Sequence, residues 1–211
     1  MRVKLQKPKF LDELEELDNI YEIKEIDKIQ NKIIENKVID NMINKGMAID
    51  SCIFKNVTFE NSELRNIDLI DTKFENCDLS NVDFGDSGIS RVEFINCKLL
   101  GTKFDDSNLK DILFKDCMGK YINLSNSRLK NIIIDNCNFN EGIFQNIKLD
   151  KTSFQKVDLT NSYFNKTSLR DIDLTTCDIT GIDVEINDLF GVVVTAIQGL
   201  ELTRLMNIVI K

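Results

Sequence analysis

From Phe54 to Leu189 this chain places a large side chain at every fifth position, with no insertion. The series starts Phe54, Phe59, Leu64, Leu69, Phe74, and 27 of its 28 members are Leu, Ile, Val or Phe, Gly119 being the exception. It takes up 11 of the 13 phenylalanines. Two residues ahead of each member stands a smaller one: Cys52, Val57, Ser62, Ile67, Thr72, Cys77 and onward. Alternate residues of an extended chain point to one side, so both sets face inward and the three remaining positions face water. Neither a helical period near 3.6 nor a strand period of 2 produces this spacing, so each unit is a short extended piece followed by a turn. The residue two after each large one is mostly Asn or Asp (Asn56, Asn61, Asn66, Asp71, Asn76), which suits a repeated corner. A chain that turns every five residues coils.

A longer period sets the size of the coil. Cys77, Cys97, Cys117, Cys137 and Cys177 recur at multiples of twenty residues, as do Phe54, Phe74, Phe94, Phe114 and Phe154. Residues twenty apart then stack in ladders and four units make one turn, giving an all-β square solenoid of about seven or more coils, ~4.8 Å apart.

Units such as Cys77-Asp78-Leu79-Ser80-Asn81 and Val157-Asp158-Leu159-Thr160-Asn161 resemble the pentapeptide repeat family. The resemblance implies a right-handed quadrilateral β-helix, with its handedness taken from the family. The expected organisation is an N-terminal cap over 1–49, the solenoid over 50–190 and a C-terminal helix and strand over 191–211.

At the start, Phe10, Leu11, Leu14 and Leu17 fit one face of a helix over Pro8 to Asp18, and Ile29 to Ile49 reads as a degraded coil because Asp27, Lys32 and Lys37 fall at inward positions. At the far end Thr195 is a good N-cap for a helix from Ala196 to Met206, Asn207 a C-cap, and Ile208-Val209-Ile210 a final strand. So apolar a helix needs a partner. It either caps the last coil or forms a dimer interface through Ile197, Leu200, Leu202, Leu205, Met206 and Ile208, and one element can do both. The segment around Gln198-Gly199, Leu202, Leu205 and Ile208 resembles the C-terminal element of the Qnr and MfpA branch, which implies a tail-to-tail homodimer. That branch usually has Ala where Gly199 stands, and Gly costs a helix about 1 kcal/mol.

Chemistry is constrained by what is missing. The chain has no histidine, which removes Ser-His-Asp and Cys-His nucleophiles and the HExxH metal helix. All six cysteines sit inward, where small size and low polarity account for them without a metal or redox role. The pair Asp105-Asp106 lies on a convex face with no cleft. We therefore expect no catalytic residues, metal or cofactor. No signal-like or membrane-spanning stretch is present, so a cytoplasmic location is expected. Gly119, the one inward position without a side chain, leaves a gap that Phe139 one coil on can fill, or else a bulge that shapes a contact with outward Met118 and Tyr121.

Charge carries the functional expectation. The chain bears −8, which argues against direct nucleic-acid binding. Among outward repeat residues, the face of Phe54 has 5 acids and 4 bases, that of Phe59 has 5 and 2, that of Leu64 has 7 and 3, and that of Leu69 has 6 and 7. Two adjacent faces thus hold the surplus, through Asp78, Asp158 and Asp178 on one and Glu63, Asp83, Asp86, Asp105, Asp106, Asp183 and Glu185 on the other. Seven coils span roughly 34 Å and a tail-to-tail dimer roughly 70 Å, the length of about 20 base pairs. The resemblance to Qnr and MfpA implies a DNA mimic that binds a type II topoisomerase, DNA gyrase or topoisomerase IV, and protects it from quinolones. A non-enzymatic cytoplasmic scaffold for another protein is the alternative reading. Several Qnr proteins carry two loops between coils; the unbroken phase here leaves no room for them, as in the loopless mycobacterial and enterococcal type.

Overall fold

The computed structural model describes residues 3–18 and 27–208. It is a parallel β-solenoid. Short strands open it: β1 (Glu15–Glu16), β2 (Lys28–Gln30), β3 (Lys32–Glu35), β4 (Val38–Asp40), β5 (Ala48–Asp50), β6 (Ile53–Lys55) and β7 (Thr58–Glu60). Eight-residue strands follow: β8 (Asp68–Glu75), β9 (Gly88–Ile95), β10 (Asn108–Lys115), β11 (Arg128–Asp135) and β12 (Lys148–Gln155). From β2 onward every pairing is parallel with residue i beside residue i+20, as in Phe54 beside Phe74 and Phe74 beside Phe94. The faces of Leu69 and Phe54 run together in the long strands. Beyond the short β4–β7 pair, the faces of Phe59 and Leu64 pair through single bridges, such as Asp78 with Lys98 and Asp83 with Lys103.

Every fifth residue from Asn31 to Asp171 has a positive φ, 29 corners in succession. At four per coil these make slightly more than seven coils. Asn and Asp tolerate this left-handed region best, and they fill most corners. The first departure falls at Thr176, a β-branched residue that the region excludes. There the Thr176 hydroxyl accepts the Lys156 N–H at 3.1 Å, a bond that one coil earlier goes from Asn136 N–H to the Gln155 carbonyl.

The five-residue series is the core, and all of it is buried except Leu149 and Leu189, which are partly so. Phe54, Phe74, Phe94 and Phe114 stack nearly parallel at centroid spacings of 4.9, 5.1 and 5.0 Å. Most buried inward hydroxyls bond the backbone: Ser127 Oγ donates to the Phe104 carbonyl at 2.7 Å and accepts the Ser107 N–H at 3.0 Å, whereas the Thr152 hydroxyl is buried without a partner. At Gly119 an added Cβ would lie 2.7 Å from Phe139 Cε1. The Phe139 ring therefore fills the space, as expected of a neighbour one coil on, and there is no bulge.

Both ends differ from expectation. Residues 8–18 form no helix. The segment runs extended, β1 pairs with β3, and Leu17 is buried beneath the first coil. Hydrogen bonds from its backbone to distant partners outweigh the local helical pattern, since Gln6 and Lys9 N–H go to Asp111 and Asp71 and Leu17 N–H to Ile33. Nor is the stretch from Ile29 to Ile49 degraded: Ile29, Ile34, Ile39, Met42, Met47 and Ile49 are buried and its corners are regular. Lys32 and Lys37 are tolerated at inward positions because, at the open end of the rod, they pair with Glu15 and Asp18.

At the other end α1 (Ala196–Leu202) continues as a 3-10 turn over Thr203–Met206, and Asn207 closes it in the left-handed conformation at φ 55°. Thr195 caps it, with Gln198 completing a capping box. The Gln198 amide donates to the carbonyls of Leu174 (2.9 Å), which also accepts the Cys177 N–H, and Cys177 (2.8 Å), so one side chain ties the helix to the backbone of the last coil. Ile208 is not in a strand; Val209 and Ile210 lie outside the described residues.

Candidate functional site

The ten acidic residues expected at the site divide into two groups. Five are held by cations. Arg65 reaches Asp83 at 3.0 Å, Asp86 at 2.7 Å and Asp105 at 3.2 Å. Glu63 pairs with Lys45 at 2.9 Å and Asp78 with Lys98 at 3.3 Å. The Arg65 guanidinium lies over Gly85, where a Cβ would come within 2.4 Å of its Nη1, so the glycine is what lets one arginine span three carboxylates. These bonds raise the Arg65 pKa above its ordinary value, Asp86 contributing most. A sum of charges by face hides this pairing, although Arg65, Gly85 and Asp105 stand at multiples of twenty and stack by the same rule as the core.

Asp106, Asp158, Asp178, Asp183 and Glu185 form no ion pair among the described residues. Four of these five belong to the last two coils. Asp158 and Asp178 accept the N–H of Thr160 and Thr180 at 3.0 and 2.9 Å, and Thr180 holds the Asp178 carboxyl below its ordinary pKa. Asp178 is therefore a fixed charge at neutral pH. From residue 157 to 208 there are 8 acids and 3 bases.

Next to this acidic end lies uncovered apolar surface. Ile197 is 74% exposed, Leu200 57%, Met206 57% and Ile208 49%. Phe190 and Val193 are exposed beside them. Leu202 and Leu205 are partly buried against the core, so the six residues expected at an interface split into a cap and an outer surface. Midway along the rod Met118 and Tyr121 are exposed with Leu100 nearby in the preceding coil, and Lys120 lies 4.7 Å from the Tyr121 ring centroid.

The buried cysteines are free thiols, and burial pushes the Cys52 thiol up to about 11. Among the described residues no group of three or more metal-ligating side chains assembles, and no helix is long and apolar enough to cross a membrane.

On the corner diagonally opposite the acidic faces, Arg91 Nε and Nη2 donate to Asp71 Oδ1 and Oδ2, both at 2.6 Å. Burial raises the Asp71 pKa, but the Arg91 and Lys9 N–H bonds outweigh it and hold the group below its ordinary value. A depressed folded-state pKa adds stability that is complete above the unfolded value of about 3.9 and is lost as pH falls through the folded one. In urea titrations the stability gap between wild type and Asp71→Asn is therefore expected to narrow below about pH 4. A gap that stays constant down to pH 2.5, on the order of one unit below that range, would contradict this.

A family model described as pentapeptide repeat region matches residues 87–155, and one described as pentapeptide repeats (8 copies) matches 143–181. The model of the SV2A/B/C luminal domain matches 17–104. No curated protein matches the chain. Among solved structures, a trypsin-treated form of QnrB1, a plasmid-mediated fluoroquinolone resistance protein, is 20% identical with a TM-score of 0.49, over 87% of this chain and 95% of that one. HetL, a pentapeptide repeat protein involved in heterocyst differentiation regulation from the cyanobacterium Nostoc, is 15% identical with a TM-score of 0.34, over 74% of this chain and 84% of that one. With its five-residue register, four-unit coils and left-handed Asn and Asp corners, the chain is a parallel β-solenoid similar to pentapeptide repeat proteins, whose models match it over residues 87–181.

Proposed function

We propose that this protein is a dimeric acidic rod that occupies the DNA-binding surface of a type II topoisomerase, DNA gyrase or topoisomerase IV, and protects it from quinolones. The observation that carries the reading is the placement of the unpaired carboxylates. Four of them, Asp158, Asp178, Asp183 and Glu185, lie on two adjacent faces in the last coils, beside the uncovered apolar end, while Asp171, Asp173 and Asp188 lie on the other two faces. Tail-to-tail pairing through that end brings the two acidic zones together at the middle of a rod about 70 Å long. A basic surface that takes duplex DNA meets there a continuous run of fixed negative charge. The enzyme class comes from the resemblance of the C-terminal segment to Qnr and MfpA.

A supercoiling assay with purified gyrase and ciprofloxacin tests the reading. The informative variant is Asp158→Asn, Asp178→Asn and Asp183→Asn together. It removes three charges while keeping an oxygen for the Thr160, Thr180 and Asn165 donors. Rescue of supercoiling by wild type and its loss in the triple variant are expected. No rescue by either, or equal rescue by both, rejects the mechanism.

The dimer has its own test. Leu205 packs on the core, so charging it would damage the cap. Ile197→Asp with Leu200→Asp instead alters only exposed positions and is expected to turn a sedimenting dimer into a monomer with an unchanged melting temperature. A monomeric wild type would defeat the tail-to-tail arrangement.

The exposed Leu100, Met118 and Tyr121 favour a second reading. An apolar step halfway along a polar face suits a scaffold that docks another protein, and Met118→Lys would then abolish binding while leaving gyrase protection intact.

A further inference from the structure

The first residues of the chain lie along the outside of the rod, far from the coil they enter. Gln6 N–H donates to Asp111 Oδ1 at 3.1 Å and Lys9 N–H to Asp71 Oδ1 at 3.0 Å. Three extended residues advance about 10 Å and two coils rise ~9.6 Å, so the segment keeps step with alternate rungs of this corner. Beside it, Val3, Lys4, Leu5 and Lys7 share a groove with Glu93, Leu113 and Ile133.

The corner is built for more than its present contacts. Asp111 is 2% exposed, and its Oδ1 takes both Gln6 N–H and Asn131 Nδ2, yet its Oδ2 is buried without a hydrogen-bond partner. Arg91 satisfies Asp71 from within the ladder. Asp71, Asp111 and Glu93 stand here against Arg91, since Lys73 in the column of Glu93 is taken up by Glu75 at 2.9 Å, and the segment along this corner carries Lys4, Lys7 and Lys9.

We propose that the ladder Asp71, Arg91 and Asp111, with the strip Glu93, Leu113 and Ile133, is a binding track for an extended lysine-rich segment of a partner protein, and that residues 3–10 occupy it as a resident pseudo-ligand. Two carboxylates two coils apart read backbone N–H groups three residues apart. Leu113 and Ile133 take apolar side chains between them, and Glu93 favours a lysine. Tethering gives the resident segment a high effective concentration, so a competing segment binds only when the resident one is displaced. The track lies diagonally opposite the acidic faces and leaves them open.

The test keeps the full chain. Gln6→Pro with Lys9→Pro removes the two donors, together with the Lys9 charge that acts on Asp71, and leaves every residue of the coils unchanged. A fluorescent peptide with the sequence of residues 3–10 is then added and anisotropy followed. The variant is expected to bind it at least about tenfold more tightly than wild type does, and Asp111→Ala added to the variant to lose about tenfold again, the worth of one charge-assisted bond. A peptide with its lysines changed to glutamate is expected not to bind. If the variant, with an unchanged circular dichroism spectrum and melt, fails to bind the peptide, or wild type binds it equally well, the proposal is overturned. Labelled wild-type protein binding the variant as tightly as the peptide does would make the occupant a second copy and overturn the partner reading. Should the variant unfold, hydrogen exchange on wild type decides: slow exchange at Gln6 and Lys9 relative to Lys7 supports a docked segment, and uniformly fast exchange overturns it.

Discussion

Phe94→Ala is expected to lower the stability of the rod by about 3–5 kcal/mol. Phe94 is fully buried, stacked between Phe74 and Phe114 and edge-on to Phe104 at 5.7 Å. Its removal therefore opens three ring contacts at once, in the middle of the solenoid, where both neighbouring coils are held by their own ladders and cannot close the space. In a stacked repeat, stability is a sum of unit and nearest-neighbour terms, so position along the rod matters as much as residue type. Phe154 gives the control. It makes one ring contact, with Phe144 at 6.3 Å, and the coil beyond it has lost regular strand pairing, so Phe154→Ala is expected to cost about half as much. Urea unfolding followed by circular dichroism compares the two. Equal losses would mean that coils yield one by one and that the stacked phenylalanines carry no special share.

The contrast between those two positions is legible in the sequence, because a strict period makes the fold one-dimensional: position in the series determines depth, and position modulo twenty determines the neighbour. The same rule governs the charges. Charges summed by face treated Asp83, Asp86 and Asp105 as free, whereas stacking at twenty puts Arg65 beneath Gly85 and Asp105. Lys32 and Lys37 looked wrong for an inward position because their partners, Glu15 and Asp18, precede the repeat. The N-terminal segment lay beyond any such rule. Its bonds to Asp71 and Asp111 are made by backbone N–H groups, which every residue has, across 62 and 105 residues of chain. The helical spacing of Phe10, Leu14 and Leu17 was real, but a short helix is marginal alone, and an extended segment could bond to the coils.

Arg65→Met is the change expected to alter stability and surface charge together. The side chain is 26% exposed, and Asp83 and Asp105 are each 16% exposed. Breaking a fully buried pair costs ~3–5 kcal/mol. Discounting for this partial exposure to solvent leaves about 2 kcal/mol. Removing the guanidinium leaves Asp83, Asp86 and Asp105 facing one another with only Lys103, 3.8 Å from Asp83, nearby. Gly85→Ala reaches the same state by another route, since the new Cβ takes the place of the guanidinium, and Gly85 does not have a positive φ that would strain alanine. The two substitutions are therefore expected to be non-additive: the double variant should be destabilised about as much as Arg65→Met alone, with a coupling on the order of 1 kcal/mol or more. Strict additivity in a double-mutant cycle would show that the clamp is not a unit. Either variant also uncovers carboxylates on the Leu64 face. If that face meets a basic enzyme surface, both should protect gyrase at lower concentration than wild type despite their lower stability, a combination that damage to the fold alone cannot produce.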